Sequence, residues 1–149
     1  MTRLRPDAAP EVLVLGSGKG GVGKSVLSVM LGAILAGEGH RVLLFDADQN
    51  LGNLHVLLGI RPRARMDALL DGDVEPADLV QEIGENLWLL PGDSGGETLH
   101  SLEALDRARL HHRLSAPYDD FDVVLVVAGA GIESVVRTST MRPTRLVVV

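Results

Sequence analysis

A glycine-rich segment between two apolar runs constrains the fold of this chain more than any other feature. Five of the eight residues from Gly16 to Gly23 are glycine. The apolar run Glu11–Leu15 (EVLVL) before it is typical of a strand that is buried on both faces. After it, apolar residues recur every three or four positions from Lys24 to the glycines at 37 and 39, which predicts a helix with a glycine end. The segment thus joins a buried strand to the start of a helix.

This segment matches a known phosphate-loop pattern: glycine, any four residues, glycine, lysine, then serine or threonine, between a strand and a helix. Glycines let the backbone turn tightly, so that N–H groups point at phosphate oxygens beside the positive helix N-terminus. Lys24 is expected to reach the β- and γ-phosphates, and the Ser25 hydroxyl to ligate Mg²⁺. The alternative is a glycine-rich turn that binds nothing. The residues expected to contact the nucleotide are Gly18, Lys19, Gly20, Gly21, Val22, Gly23, Lys24 and Ser25.

Both lysines of the chain lie in this segment. Twelve of the fourteen basic residues are arginine, and the other two are Lys19 and Lys24. Chance in an arginine-rich chain can produce this distribution. It also fits a loop that needs a compact ammonium group rather than a planar guanidinium fork.

The rest of the chain alternates between strand-like and helix-like runs. His40–Phe45 (HRVLLF) predicts a second buried strand that ends on Asp46, which completes a βαβ unit with a parallel sheet. We therefore predict an α/β fold of the P-loop NTPase type, an open and mainly parallel sheet of about five strands flanked by helices. Further strands are expected at Leu87–Leu90, Asp122–Val127 and Arg145–Val149, and further helices at Leu51–Leu58, Met66–Leu70, Glu75–Ile83 and Thr98–Ser115.

Length and composition limit the classes of protein to which the chain can belong. Its 149 residues suffice for one domain, which we expect at 11–149 after a disordered tail at 1–10. The absence of cysteine excludes disulfides, iron–sulfur clusters and thiolate zinc sites. No apolar run approaches the roughly 20 residues of a membrane-spanning helix, and residues 1–10 do not have the pattern of a secretory signal. We expect a cytoplasmic protein without a covalent cofactor.

The residues inside the glycine segment indicate one protein family more specifically than the general phosphate-loop spacing does. Lys19–Ser25 (KGGVGKS) resembles the deviant Walker A motif of the MinD/ParA family of P-loop ATPases. In that family the lysine at the Lys19 position reaches across a dimer interface to the nucleotide of the other subunit. The resemblance therefore implies that Lys24 acts within its own subunit and Lys19 acts in the other.

The residues after the second strand also carry the resemblance. Asp46–Leu54 (DADQNLGNL) is similar to the first switch segment of the family, and Val56–Gly59 (VLLG) is most similar to its flagellar-number regulators (FlhG/FleN type) and to MinD. The resemblance implies that Asp48 orients the attacking water and that Asp46 lies near Mg²⁺. The alternative is that both aspartates only end a strand and cap the next helix.

A third segment matches the family in part. Tyr118–Ile132 resembles its Walker B region, and the ending Gly129–Ile132 (GAGI) is of the MinD and flagellar type. The family has an aspartate at the end of this strand, which holds Mg²⁺ through water, whereas this chain has Val127. Asp122 lies at the other end of the strand and cannot replace it. We therefore expect weak Mg²⁺-dependent hydrolysis. His55, where the flagellar branch usually has aspartate, is expected to be structural or exposed.

The resemblance begins at Glu11 and covers only the N-terminal part of the family fold, so we expect a C-terminally truncated member. It implies an ATP-binding and ATP-hydrolysing switch that forms homodimers with ATP and sets position in the cell, most specifically flagellar number or placement. The implied ligands are ATP and Mg²⁺, and the implied partner is a regulatory or flagellar protein. The implied location is the cytoplasm or the inner face of the membrane, where contact would need the C-terminal amphipathic helix of some relatives.

Two alternative functions stay open. A nucleotide-binding scaffold with little or no hydrolysis is suggested by Val127. A ParA-type DNA-partition protein would use arginines in connecting segments, although such arginines are more often solvated and the net charge of −6 argues against a general nucleic-acid binder. The arginines in question are Arg61, Arg63, Arg65, Arg137, Arg142 and Arg145.

Overall fold

The computed structural model describes residues 8–20, 23–48, 53–64, 67–92, 104–131 and 144–149. Within these ranges the strands of the sheet are β1 (Glu11–Ser17), β2 (Val42–Ala47), β3 (Gln81–Gly84), β4 (Leu87–Leu90), β5 (Val123–Ala130) and β6 (Arg145–Val148). The helices are α1 (Lys24–Gly37), α2 (Leu54–Leu57), α3 (Asp67–Leu70), α4 (Pro76–Leu79) and α5 (Ala104–Leu114), and a 3₁₀ turn covers Ala116–Asp120.

The strands form one sheet in the order β3-β4-β2-β5-β1-β6. Every neighbouring pair is parallel except β3 with β4. The connection from β1 through α1 to β2 is a parallel crossover, and β5 lies between the two strands that it joins. The predicted α/β fold with a mainly parallel, open sheet is confirmed.

The sheet has one strand more than expected, because the predicted helix Glu75–Ile83 is wrong in its second half. The Asp78 carboxylate accepts the Glu75 N–H at 2.9 Å and supports the start of α4, but the backbone becomes extended at Val80. A helix of one turn is marginal by itself, whereas Gln81–Gly84 gains ladder hydrogen bonds as β3 against β4. Asn86, at φ 58°, adopts the left-handed conformation that reverses the chain between these two strands.

Apolar side chains on the two faces of the central strands form two separate cores. Since successive side chains of a strand point to opposite faces, Leu43 and Phe45 lie in one core and Val42 and Leu44 in the other. The first core includes residues of α3, α4 and α5, and the second is covered by α1. Burial on both faces explains why β1, β2 and β5 are nearly continuous apolar runs.

Several sequence predictions extend into parts of the chain outside the described residues. These parts include 1–7 of the predicted tail, 51–52 of the predicted helix Leu51–Leu58, and 98–103 of the predicted helix Thr98–Ser115. Gly21 and Val22 of the phosphate-loop pattern also lie outside them. In the part of the chain that the structure describes, no helix is long and apolar enough to cross a membrane.

Candidate functional site

The carboxyl ends of three neighbouring strands meet at one edge of the sheet. β5 lies between β1 and β2. The end of β1 leads into the glycine segment, the end of β5 leads into Gly131, and the end of β2 leads into Asp48. Ligands of open α/β sheets bind at this edge, where strand order changes direction. The topology therefore brings together the segments that follow Ser17, Ala47 and Ala130, which are far apart in the sequence.

The glycine segment runs directly into α1. Gly23 has φ +84°, a left-handed conformation that favours glycine, and α1 begins at the next residue, Lys24. The first turn of α1 contains no acidic side chain. Among the described residues no side chain caps this helix N-terminus, and the positive end of such a helix is an arrangement that binds anions.

The Lys24 ammonium group lies at the end of β1, where the glycine segment begins. Its Nζ donates a hydrogen bond to Ser17 Oγ at 3.0 Å, and Ser17 Oγ donates to the Lys19 carbonyl oxygen at 2.8 Å. Partial burial lowers the pKa of Lys24, and the nearby carboxylates of Asp48 and Asp46 oppose that shift. Lys24, Asp46 and Asp48 are thus close enough to interact electrostatically.

The Asp46 carboxylate is buried and organises the chain that follows it. Asp46 is 2% exposed. Its Oδ1 accepts the Asp48 N–H at 3.2 Å, and its Oδ2 accepts the Leu54 N–H at 3.0 Å. Burial raises the pKa of Asp46, and the N–H groups of Leu54, Asp48 and Asn53 partly offset this effect. One carboxylate therefore holds both described ends of the predicted switch segment.

Ser25 links the glycine segment to the same switch segment. Its hydroxyl donates to Asn53 Oδ1 at 3.2 Å. The Ser25 hydroxyl and the carboxylates of Asp46 and Asp48 are hard oxygen donors, the type that Mg²⁺ prefers. Among the described residues, no group of three or more histidine, aspartate or glutamate side chains could hold a metal ion alone. These residues therefore fit a Mg²⁺ ion whose other ligands are phosphate oxygens and water, as in phosphate-loop sites.

Val127 occupies a position beside Asp46 in the sheet. The register pairs Asp46 of β2 with Val127 of β5, and Leu15 of β1 pairs with Val127 on the other side. Val127 is 2% exposed and belongs to the apolar core under α1. Asp122, at the opposite end of β5, accepts the Arg41 N–H at 2.8 Å. An isopropyl group therefore lies next to the buried carboxylate, and the other aspartate of this strand region is engaged elsewhere.

His55 lies in α2, directly after the switch segment. It is half-buried, and its Nδ1 atom is buried without a hydrogen-bond partner among the described residues. Lys19 is exposed at the rim of the site, as are Gly18 and Gly20. The assignments of roles to individual residues of the loop and the switch remain predictions.

Sequence reasoning did not single out three residues that shape the site. Ser17 precedes the motif and receives the Lys24 ammonium. Asn53 accepts the Ser25 hydroxyl. Gly92 follows β4, and a Cβ there would lie 2.6 Å from the Asp46 carbonyl oxygen and 3.1 Å from its carboxyl carbon. In the sequence, Ser17 is visible only as a serine before the motif and Gly92 only as part of a Pro-Gly pair after a strand. Neither pattern indicates that Ser17 contacts Lys24 or that Gly92 lies against Asp46.

Comparison with known proteins agrees with this geometry. The family model of the CobQ/CobB/MinD/ParA nucleotide binding domain matches residues 13–140. Because that match spans most of the chain, the protein belongs to this family, whose MinD/ParA members are P-loop ATPases. The resemblance to the MinD/ParA family is thus confirmed.

Two curated relatives have names that refer to flagella. The chain is 37% identical over 122 residues to the antiactivator FleN of Pseudomonas aeruginosa, covering 82% of this chain and 44% of FleN. It is 35% identical over 120 residues to the flagellum site-determining protein YlxH of Helicobacter pylori, covering 80% of this chain and 41% of YlxH. The chain therefore spans less than half the length of these relatives.

A solved structure supports the fold. The septum site-determining protein MinD from Pyrococcus horikoshii, complexed with Mg-ADP, superposes with a TM-score of 0.75 at 25% identity, over 94% of this chain and 57% of that one. The P-loop NTPase fold predicted from the sequence is thus confirmed.

Proposed function

We propose that this chain is the nucleotide-binding part of an ATP-binding and ATP-hydrolysing dimerisation switch. The observation that carries the proposal is the link between the glycine segment and the switch segment at the start of α1, where the Ser25 hydroxyl donates to Asn53 and Asp46 accepts the N–H of the next residue, Leu54. A cation and a free helix end suit a polyphosphate, and adjacent carboxylates suit its metal ion and an attacking water. The solved relative complexed with Mg-ADP supports ATP and Mg²⁺ as the ligands.

In this proposal each residue has a separate task. Backbone N–H groups of the loop and of the first turn of α1 bind the phosphates, and Lys24 contacts the β- and γ-phosphates. Ser25 and Asp46 would hold Mg²⁺, which when bound neutralises charge on the phosphates. Asp48 positions the attacking water. The apolar Val127 of β5 contributes no carboxylate to the metal.

Dimerisation would depend on Lys19. Its side chain is at the exposed rim of the site, where the resemblance to the deviant Walker A motif places a lysine that reaches the nucleotide of the other subunit. ATP would then bridge two subunits, and its hydrolysis would separate them. A surface present only in the dimer could bind a regulatory protein in one nucleotide state.

Spatial positioning is the cellular role that we propose, and flagellar number or placement is its most specific form. The relatives named antiactivator FleN and flagellum site-determining protein YlxH support this role. The proposed partners are a second copy of the chain and a regulatory or flagellar protein, in the cytoplasm or at the inner face of the membrane.

The test is to measure ATP binding and phosphate release on the same protein with Mg²⁺. We expect saturable ATP binding together with slow but measurable phosphate release. A protein that binds neither ATP nor ADP would contradict the proposal. Sedimentation in ATP and in ADP, run in parallel, should show a larger species in ATP.

A scaffold that binds nucleotide without hydrolysing it is the second candidate. One observation favours it: Val127, beside Asp46 in the register, is apolar and buried, so a second carboxylate for the metal is absent at that position. Tight ATP binding with no phosphate release would favour this candidate over the enzyme. Phosphate release above the no-protein background would exclude it.

A further inference from the structure

One buried hydroxyl connects the two lysines of the chain. Ser17, the last residue of β1, is 1% exposed. Its Oγ atom accepts a hydrogen bond from Lys24 Nζ at 3.0 Å and donates one to the Lys19 carbonyl oxygen at 2.8 Å. The same side chain thus contacts the proposed phosphate-binding lysine and the backbone of the proposed intersubunit lysine.

The direction of these hydrogen bonds follows from the groups involved. An ammonium group has only donors, so the Ser17 oxygen must accept from Lys24. A carbonyl oxygen has only lone pairs, so the Ser17 proton must point to Lys19. The ammonium also polarises the hydroxyl and strengthens its donation. The bond to Lys19 therefore depends on the position of Lys24.

The backbone of Ser17 is fixed independently of its side chain. Its carbonyl oxygen accepts the Gly131 N–H at 2.9 Å, which ties the end of β1 to the end of β5. The β1–β5 register is irregular between Leu15 and Ser17, where the strand leaves its regular ladder. The hydroxyl is thus held in place by the sheet rather than by the loop that it contacts.

We propose that Ser17 is a positioning residue that holds Lys24 and the Lys19 segment in the hydrogen-bonded arrangement described above and releases both when a nucleoside triphosphate binds. The proposal rests on the function proposed above. Phosphate oxygens draw the Lys24 ammonium away from Ser17, and the hydroxyl then loses the group that orients its proton toward Lys19. Nucleotide binding at Lys24 is in this way transmitted through Ser17 to the backbone of Lys19.

This proposal predicts the sign of an affinity change. In Ser17→Ala, Lys24 has no hydroxyl to leave, so a non-hydrolysable ATP analogue with Mg²⁺ should bind about threefold to tenfold more tightly than to the parent protein. A residue that only supports the fold would weaken binding when truncated. Ser17→Thr, which keeps the hydroxyl, should return the affinity to the parent value.

Ser28→Ala is a matched control. Ser28 is fully buried, and its hydroxyl also donates to a backbone carbonyl, that of Ser25, at 2.8 Å. The hydroxyl of Ser28 donates to the Ser25 carbonyl rather than bonding to either lysine. Ser28→Ala should therefore lose about as much stability as Ser17→Ala without any gain in affinity for the analogue.

A second measurement tests the bridge without nucleotide. Because the chain has only two lysines, protein labelled with ¹³C-lysine gives one set of signals for each, which Lys19→Arg and Lys24→Arg assign. In the nucleotide-free protein, Ser17→Ala should shift both the Lys24 side-chain signal and the Lys19 carbonyl signal, and Ser28→Ala should shift neither.

The outcomes separate the two proposals. Unchanged lysine signals in Ser17→Ala, or weaker binding of the analogue, would overturn the role of Ser17 and leave the proposed function intact. A parent protein that does not bind the analogue would overturn the proposed function and the release step together. Shifted lysine signals in that case would show that the bridge exists but does not serve a nucleotide.

Discussion

Val127 places an apolar side chain beside the carboxylate that we propose for Mg²⁺ binding. It lies beside Asp46 in the sheet and is buried, so a carboxylate at this position would lie near the proposed metal site. We predict that Val127→Asp raises Mg²⁺-dependent phosphate release by about tenfold or more, because preorganised charge at such a site strongly affects phosphoryl transfer. Phosphate release and the melting temperature with and without Mg-ATP measure the effect.

Val127→Asn is the matched control for that prediction. It has nearly the same shape as the aspartate variant but no charge, so it should gain neither phosphate release nor extra stabilisation by Mg-ATP. Without Mg-ATP, Val127→Asp should melt at a lower temperature than the parent, since an unpaired buried charge is costly. An aspartate variant that folds but gains no activity would show that the Walker B correspondence at this position is wrong.

At the scale of elements, the packing of α1 on β2 depends on a glycine. A Cβ at Gly32 would lie 2.8 Å from Leu44 Cδ2 and 3.3 Å from Leu87 Cδ1, whereas a Cβ at Gly37 meets nothing within 4 Å. Both changes to alanine gain helix propensity, but only the first overfills the core. We predict that Gly32→Ala unfolds with a free energy about 1 to 3 kcal/mol lower than Gly37→Ala.

Denaturant unfolding of the two variants and the parent protein checks this prediction. Gly37→Ala serves as the control because it lies in the same helix and changes the same atoms. Equal unfolding free energies for the two variants would mean that Leu44 moves aside without cost and that α1 is not held at this distance by Gly32.

The elements could be predicted where local signals were sufficient. The glycine at position 23 and the periodicity after it located the start of α1, and apolar runs located β1, β2 and β5. The strand Gln81–Gly84 could not be predicted, since its apolar spacing also fits a helix and its stability depends on pairing with β4. Similarly, the hydrogen bond that Asp46 accepts from Leu54 depends on the tertiary structure, which no local pattern encodes.

At the scale of the whole molecule, the site could be predicted as a set of residues but not as a network. The motif identified Lys24 and Ser25, and the strand end identified Asp46. Their connections through Ser17 and Asn53 arise only when β1, β2 and β5 are assembled in register. The sequence placed Val127 at the end of its strand, whereas β5 continues to Ala130, and the structure adds that Asp46 is the neighbour of Val127.

β6 is the outer strand of the sheet that the described residues form. We predict that it promotes association of this chain in the absence of nucleotide. Leu146 and Val148 of β6 are 53% and 72% exposed, and an apolar edge strand is a template for pairing with another chain. We expect the average mass in sedimentation to rise with protein concentration and Val148→Lys to reduce this rise. Val56→Lys, at a residue that is 69% exposed on α2, is the control and should leave it unchanged. A parent protein that stays monomeric at high concentration would contradict the prediction.

The most direct test of the central claim, that the two lysines of one loop divide ATP binding and dimerisation between them, is sedimentation with labelled ATP. The parent protein, Lys24→Ala and Lys19→Ala are compared in ATP and in ADP, each with Mg²⁺. We predict that Lys24→Ala loses ATP binding, because the phosphates lose their main cationic contact. Lys19→Ala should bind ATP within about threefold of the parent and fail to form the ATP-dependent dimer. Equal loss of binding in both variants, or a Lys19→Ala protein that dimerises like the parent, would contradict the claim.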